Sequence, residues 1–337
     1  MPVTLGGWPL RRRLDYAKYL LGITRSEHIF NRGPVRRVTL VIPDSLGDVA
    51  INASVTRYFK EHIPGVHISL ITHPRYVAAG EFIPDYDAVF GYAGVFADIL
   101  SGELTHSQQI AIARSLTPDM DRLYLCQPSA WCDAVSAKYS MLEMQNRLCK
   151  VPDDARYPPQ LSLPSYASEA AARFRAEQRG PAVLIAPGSY TIRFGAGVDE
   201  YSRRLVEWCV DQGIHVYWNG SRPILDHERC TAVGSRPLAE SVALATLCDA
   251  VISMRSGFSD LVSLVDQSRP HLVLYPPGNY PYSRLSWLEW CSLRSMGAVG
   301  AVEQVTSLNT PADAQAQLGL SIEWLRRQQA IAEVSQP

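Results

Sequence analysis

Short runs of β-branched and aliphatic residues recur along this chain, each followed by a stretch with helical spacing. The first series has apolar runs at residues 38–42, 67–72, 88–92 and 123–126, with a helix expected over about 48–62. Parallel strands need long crossovers, so this rhythm predicts βαβ units and a parallel sheet. A second series follows, with runs at 183–186, 215–218, 250–253 and 272–275 separated by helical stretches. Tyr201, Leu205, Trp208 and Cys209 share one helical face there, as do Leu238, Val242 and Ala245. Between the series, "VPDDARYPPQLSLPSY" and a polar stretch with Glu169, Arg173, Arg175 and Glu177 read as a linker with its own helix. The expected fold is α/β, with two doubly wound, Rossmann-like domains facing across a cleft. Its expected boundaries are a helical extension over 1–35, a first domain over 36–160, a linker helix over 161–180, a second domain over 181–300 and a helical segment over 301–337.

A chain of 337 residues with 47% hydrophobic content can bury the cores this requires. Its formal charge of −1 lacks the strongly basic footprint of a nucleic-acid binder, so no nucleic-acid partner is expected. The 7 cysteines include no C-x-x-C pair and no zinc-like spacing, which fits a reducing compartment. No apolar run approaches the roughly 20 residues of a membrane span, and the start lacks a signal-peptide core, so a cytoplasmic location is expected. In "RRRLDYAKYLLG", Leu14, Tyr16, Tyr19, Leu20 and Leu21 lie beside Arg11, Arg12, Arg13 and Lys18. A helix packed on the protein body is the simpler reading, and peripheral contact with an anionic membrane face is the alternative.

Ligands of doubly wound sheets bind beyond the carboxyl ends of the strands. "VIPDSLGDVAINASV" puts Ser45, Gly47 and Asp48 there after the first strand. Asp48 is placed to offer one open carboxylate oxygen as a general base, although Ser45-x-x-Asp48 also matches a capping box. In "MRSGFSD", a strand ends and Arg255, Ser256 and Gly257 open a helix, with Asp260 in its first turn. Free amides plus a guanidinium suit a diphosphate, while a capped helix with a surface arginine is the plainer reading. The loop "APGSYTIRFG" offers Gly188, Ser189, Thr191, Arg193 and Gly195 for phosphate oxygens, though it matches no nucleotide fingerprint.

Trp218, Asn219, Gly220 and Ser221 follow another strand and suit a nucleoside, and "YPPGNYPYSR" is a long aromatic loop at a further strand end. Core packing and a rigid turn are their bland readings. His73 ends a strand on the first half and is an acceptor-side candidate. Asp85-Tyr86-Asp87 and Asp119-Met120-Asp121 have D-x-D spacing but follow no buried strand, so no metal site is expected. Cys126 has no evident histidine partner and is not read as a nucleophile.

Together these residues resemble the GT-B glycosyltransferases related to ADP-heptose:lipopolysaccharide heptosyltransferases, the family 9 glycosyltransferases. The resemblance runs over roughly residues 36 to 276, through "DSLGDVAINASV", "PGVHISLITHPRYVAAGEFIPDYDAVFGY", "LIAPGSYTIRFG" and "LCDAVISMRSGFSDLVSL". It implies that Asp48, the aspartate of the family's S-[LM]-G-D motif, is the catalytic base. It places Arg193 where a lysine usually assists the donor phosphates, and sets Arg255 to Asp260 on the diphosphate motif D-[ST]-G-x-x-H. Ser256 and Gly257 agree with that motif, whereas Arg255 and Asp260 replace its acidic residue and its histidine. The Arg-Ser-Gly run is closer to the phosphate-binding arginine of some fucosyltransferases.

The implied activity is a metal-independent, inverting transfer from a nucleotide sugar to a bacterial surface glycan or glycolipid, without a further cofactor. The first domain would take the acceptor and the second the nucleotide sugar. An epimerase or hydrolase of nucleotide sugars, and a non-catalytic glycan- or nucleotide-binding protein, are the rival readings.

Overall fold

The computed structural model describes residues 27–43, 45–93, 106–126, 139–152, 157–178, 180–188, 194–280 and 284–334. The chain divides into two compact units, Met1–Leu161 with Asn279–Cys291, and Ser162–Gly278 with Ser292–Pro337.

The first unit holds β1 (Glu27–Ile29), β2 (Arg37–Ile42), α1 (Leu46–Ile51), α2 (Ala53–His62), β3 (His67–Thr72), α3 (Val77–Gly80), β4 (Ala88–Gly91), α4 (His106–Leu116), β5 (Arg122–Leu125) and α5 (Met141–Leu148). Its sheet has the order β1-β5-β2-β3-β4, with β2 through β5 parallel and β1 antiparallel on β5. Connections leave β2 in both directions, so the order reverses between β2 and β5 at the register Val41↔Leu125. Val41, Ile71, Ala113, Met120, Leu123 and Leu125 pack as one core beneath it.

The strand β1 falls in the stretch expected to be helical. Three residues are too few to show a period, and Glu27 is fixed by tertiary partners: Lys150, Arg122 at 3.5 Å, and the Tyr124 hydroxyl at 3.3 Å. The single helix expected over 48–62 is interrupted at Asn52, whose side-chain amide donates to the Asp48 carbonyl at 2.9 Å. Both D-x-D stretches do structural work. Asp121 accepts the Arg36 and Arg37 amides at 2.8 Å, and Asp87 accepts from Ile68 N–H and Lys60 Nζ at 2.7 Å.

The second unit holds α6 (Ser165–Ala176), β6 (Ala182–Ala186), α7 (Val198–Asp211), β7 (His215–Trp218), β8 (Cys230–Ala232), α8 (Leu238–Thr246), β9 (Ala250–Met254), α9 (Gly257–Val265) and β10 (His271–Tyr275). The chain then forms α10 (Trp287–Cys291), which belongs to the first unit and packs on α5, before returning through β11 (Ala301–Val305) and α11 (Pro311–Val334). The sheet is parallel throughout, in the order β11-β10-β9-β6-β7-β8. This is the doubly wound order in which the connection reverses between the first and fourth strands, here β6 and β9.

Tyr201, Leu205 and Cys209 are buried as their spacing predicts, and Trp208 packs at the margin of the same core. Two boundaries differ from expectation. Residues 279–291 leave the second unit, and the last segment opens with the strand β11 before its helix.

Candidate functional site

In the first unit Ser45, Gly47 and Asp48 follow β2 at the reversal point, whereas His73 follows β3. Ser45 has extended backbone and caps α1, its Oγ accepting the Asp48 N–H at 3.3 Å. The same hydroxyl donates to Asp48 Oδ2 at 2.8 Å, and Gln145 Nε2 approaches Oδ1 at 3.4 Å. Asp48 is 5% exposed and Gly47 beside it is buried. The sequence reading put an open carboxylate oxygen here, whereas the residue is buried and each oxygen meets a side-chain donor. The reason is energetic: a buried carboxylate without hydrogen bonds is costly, and a serine hydroxyl and a glutamine amide offset part of that cost.

His73 stands at the end of β3, half-buried, and caps the short turn Pro74–Tyr76 by accepting the Arg75 N–H on Nδ1 at 3.2 Å. Burial, and then Arg75, lower its pKa. It is therefore neutral at physiological pH and its Nδ1 is already used. Cys126, one residue beyond β5, lies with its Sγ 3.2 Å from Cys149, and burial pushes the Cys149 thiol far up. The Cys149 thiol is a poor nucleophile for that reason.

In the second unit the residues gather where β6 and β9 end side by side, at the register Ala186↔Ser253. Gly188 follows β6 with open space where a Cβ would stand. Ser189 and Arg193, the next candidates in that loop, lie outside the described residues. Gly195, at the far end, approaches so closely that a Cβ would fall 2.4 Å from the Leu308 carbonyl, which pins the loop's exit. After β9, Ser256 caps α9 in a full capping box with Ser259: Ser256 Oγ accepts the Ser259 N–H at 3.3 Å and Ser259 Oγ accepts the Ser256 N–H at 2.9 Å. That reciprocal pair takes up neither of the intervening amides, those of Gly257 and Phe258.

Arg255 was expected at the surface or on a phosphate. Its side chain is instead 3% exposed and forks onto Asp260, with Nη2 at 2.7 Å from Oδ1 and Nη1 at 3.0 Å from Oδ2. Nη1 also donates to the Ser256 carbonyl at 2.7 Å. Burial raises the Asp260 pKa and Arg255 opposes that rise. The sequence puts these charges five positions apart, and the helix entrance folds them into a neutral internal pair. The positive character of the entrance is left to the amides and the helix dipole.

Asn219 and Gly220 follow β7, partly exposed. Gly220 is required by packing, since a Cβ would lie 2.4 Å from the Trp218 indole nitrogen, and a Cβ on Gly234 would fall 2.7 Å from the Gly220 carbonyl carbon. Trp218 itself is core, 7% exposed. From the aromatic loop, Tyr280 stacks on Trp290 at 4.6 Å between centroids within the first unit. Among the described residues no group of three or more His, Cys, Asp or Glu side chains could hold a metal ion, and no helix is long and apolar enough to cross a membrane. The basic N-terminal stretch lies outside the described residues.

Sequence reading missed Gln145. It is 97 positions from Asp48, in a helix whose apolar positions gave no sign of a polar contact. A buried glutamine among Met141, Met144 and Leu148 was the one available signal.

No family model matches the sequence, and no curated protein sequence matches it. Solved structures do match in fold. The E. coli ADP-heptose lps heptosyltransferase II superimposes with a TM-score of 0.59 at 15% identity, over 88% of this chain and 99% of that one. A glycosyl transferase family 9 protein from Veillonella parvula gives 0.56 at 12% identity, over 85% and 91%. An E. coli heptosyltransferase with ADP gives 0.52 at 15% identity, over 87% and 99%. The chain thus shares the two-sheet α/β architecture of GT-B glycosyltransferases across most of its length.

Proposed function

We propose that this chain is a glycosyltransferase that moves a sugar from a nucleotide-sugar donor to a glycan or glycolipid acceptor of the bacterial surface, with inversion and without a metal. One observation carries the reading: an aspartate at the carboxyl end of the central strand β2, oriented by Ser45 and Gln145, on an architecture shared with nucleotide-sugar transferases. Asp48 acts as general base. The acceptor hydroxyl replaces the Ser45 hydroxyl on Oδ2, exchanging one donor for another, and loses its proton to the carboxylate as its oxygen attacks the anomeric carbon. A single displacement inverts that carbon and expels the nucleoside diphosphate.

The second unit supplies the leaving-group site. The Gly257 and Phe258 amides at the start of α9 meet the phosphate oxygens as negative charge develops, beside the open backbone at Gly188. Arg193 adds a full positive charge from the same loop. Arg255, paired with Asp260, holds the shape of the entrance. Asn219 and Gly220 serve the nucleoside, and His73 lines the acceptor side. The work is cytoplasmic, at the inner face of the membrane.

Thermal unfolding with ADP, GDP, UDP and CMP, and then with their sugars, tests the donor half, because a ligand that prefers the fold raises its apparent stability. The matching nucleotide at about 100 times its Kd stabilises by about 2.7 kcal/mol. No shift with any of the four contradicts a nucleotide-sugar donor. Diphosphate release that needs no acceptor would mark a hydrolase or epimerase, and binding without release under any acceptor would mark a non-catalytic protein.

A further inference from the structure

Gln145 is 0% exposed and stands on α5, a helix tied down along its whole length. A capping box closes its start: Glu143 Oε2 accepts the Ser140 N–H at 2.7 Å and Ser140 Oγ accepts the Glu143 N–H at 3.4 Å. Met141, Met144 and Leu148 bury its apolar side, and Ser54 Oγ donates from α2 to the next residue, Asn146, at 3.0 Å. A side chain on so fixed a helix has little freedom to choose its contacts. Its Nε2 faces Asp48 Oδ1 at 3.4 Å, while its Oε1 is buried with no hydrogen-bond partner among the described residues. The amide is oriented in the only chemically sensible way, since the reverse would set two acceptors against each other.

An unmet buried acceptor costs stability, so methionine or leucine would suit this position better if packing alone governed it. The amide's gain lies in the contact with Asp48. We propose that Gln145 is a positioning residue for Asp48, holding Oδ1 so that Oδ2 stays directed at the acceptor hydroxyl when that hydroxyl displaces Ser45. This rests on the reading of Asp48 as the general base. Between Ser45 and Gln145, Ser45 is the exchangeable partner, being half-buried and hydroxylic. Gln145 is the permanent one.

The contact is tested without any donor. In protein labelled with 13C at aspartate carboxyls, the Asp48 signal is identified by its absence from Asp48→Asn. In Gln145→Met, which keeps side-chain length, that signal moves and broadens as the carboxylate gains rotamers, while in Asn146→Ala it stays in place. An unmoved Asp48 signal in folded Gln145→Met overturns the proposal. Should that variant not fold, Gln145→Asn, which withdraws the amide by one methylene, is read in the same way.

Turnover of the nucleotide sugar selected by thermal unfolding provides the second arm. Gln145→Met lowers kcat about tenfold with donor KM within about twofold, and adds no further loss in an Asp48→Asn background. Full kcat in Gln145→Met beside a lost kcat in Asp48→Asn overturns the positioning role and spares the base. Full kcat in Asp48→Asn removes the base, with the carboxyl signal still deciding the contact.

Discussion

Arg255 and Asp260 bury opposite charges at 3% and 2% side-chain exposure, and each depends on the other. Removing one partner strands a charge in a dry site, which costs about 3–5 kcal/mol, whereas replacing both with apolar groups is often near neutral. Arg255→Ala should therefore destabilise by that amount in urea titration, and Arg255→Met with Asp260→Leu should recover most of it. Equal loss in the single and double variants would contradict a mutually dependent pair. A nucleotide-binding test on Arg255→Ala alone confuses lost binding with a collapsed helix entrance. His271 is a second buried polar device, its ring held between Ser253 Oγ at 2.8 Å and Ser263 Oγ at 2.7 Å. Burial, and then Arg255, push its pKa down to about 3, and burial, then Arg175 and Arg229, push that of His215 down to about 4.

Both rings stay neutral in the fold while an unfolded chain protonates them near 6.5. The unfolded chain thus binds more protons below that pH, and stability falls as pH falls from about 6.5 toward about 4 for His215 and about 3 for His271. Each histidine contributes a slope of up to about 1.4 kcal/mol per pH unit within its window. His271→Gln should show a shallower decline between pH 6 and pH 4 than the wild type, read from urea midpoints. An unchanged slope would mean that His271 is protonated in the fold.

Among the elements, α5 shows how a short helix can matter beyond its own contacts. Its eight residues run Met141–Leu148 and place Gln145 on Asp48, and the Ser140–Glu143 box fixes where they begin. Ser140→Ala should cost about 1 kcal/mol of stability. It should also loosen Gln145, so turnover should fall more than the stability loss explains, and unchanged turnover would separate the cap from the site. The strands and main helices were legible because apolar spacing reports burial directly, as Tyr201, Leu205 and Cys209 illustrate. The strand β1 and the transfer of residues 279–291 to the first unit were not legible. Both depend on partners far along the chain, which local spacing does not encode.

For the whole molecule, the two reversal points between β2 and β5 and between β6 and β9 locate the candidate residues better than any motif does. Asp48 and the Ser256-Gly257 entrance were legible because both follow buried strands and open helices. What their side chains touch was not legible, since Gln145 and the Arg255–Asp260 fork are products of packing. That packing turned an exposed base and an exposed cation into a guarded carboxylate and a neutral pair. The most direct measurement is kcat for sugar transfer by Asp48→Asn, alongside its nucleotide affinity and thermal midpoint. A general base predicts a loss of about 10²–10⁴ in kcat with affinity and folding retained. Turnover within a few-fold of wild type in the folded variant would contradict it.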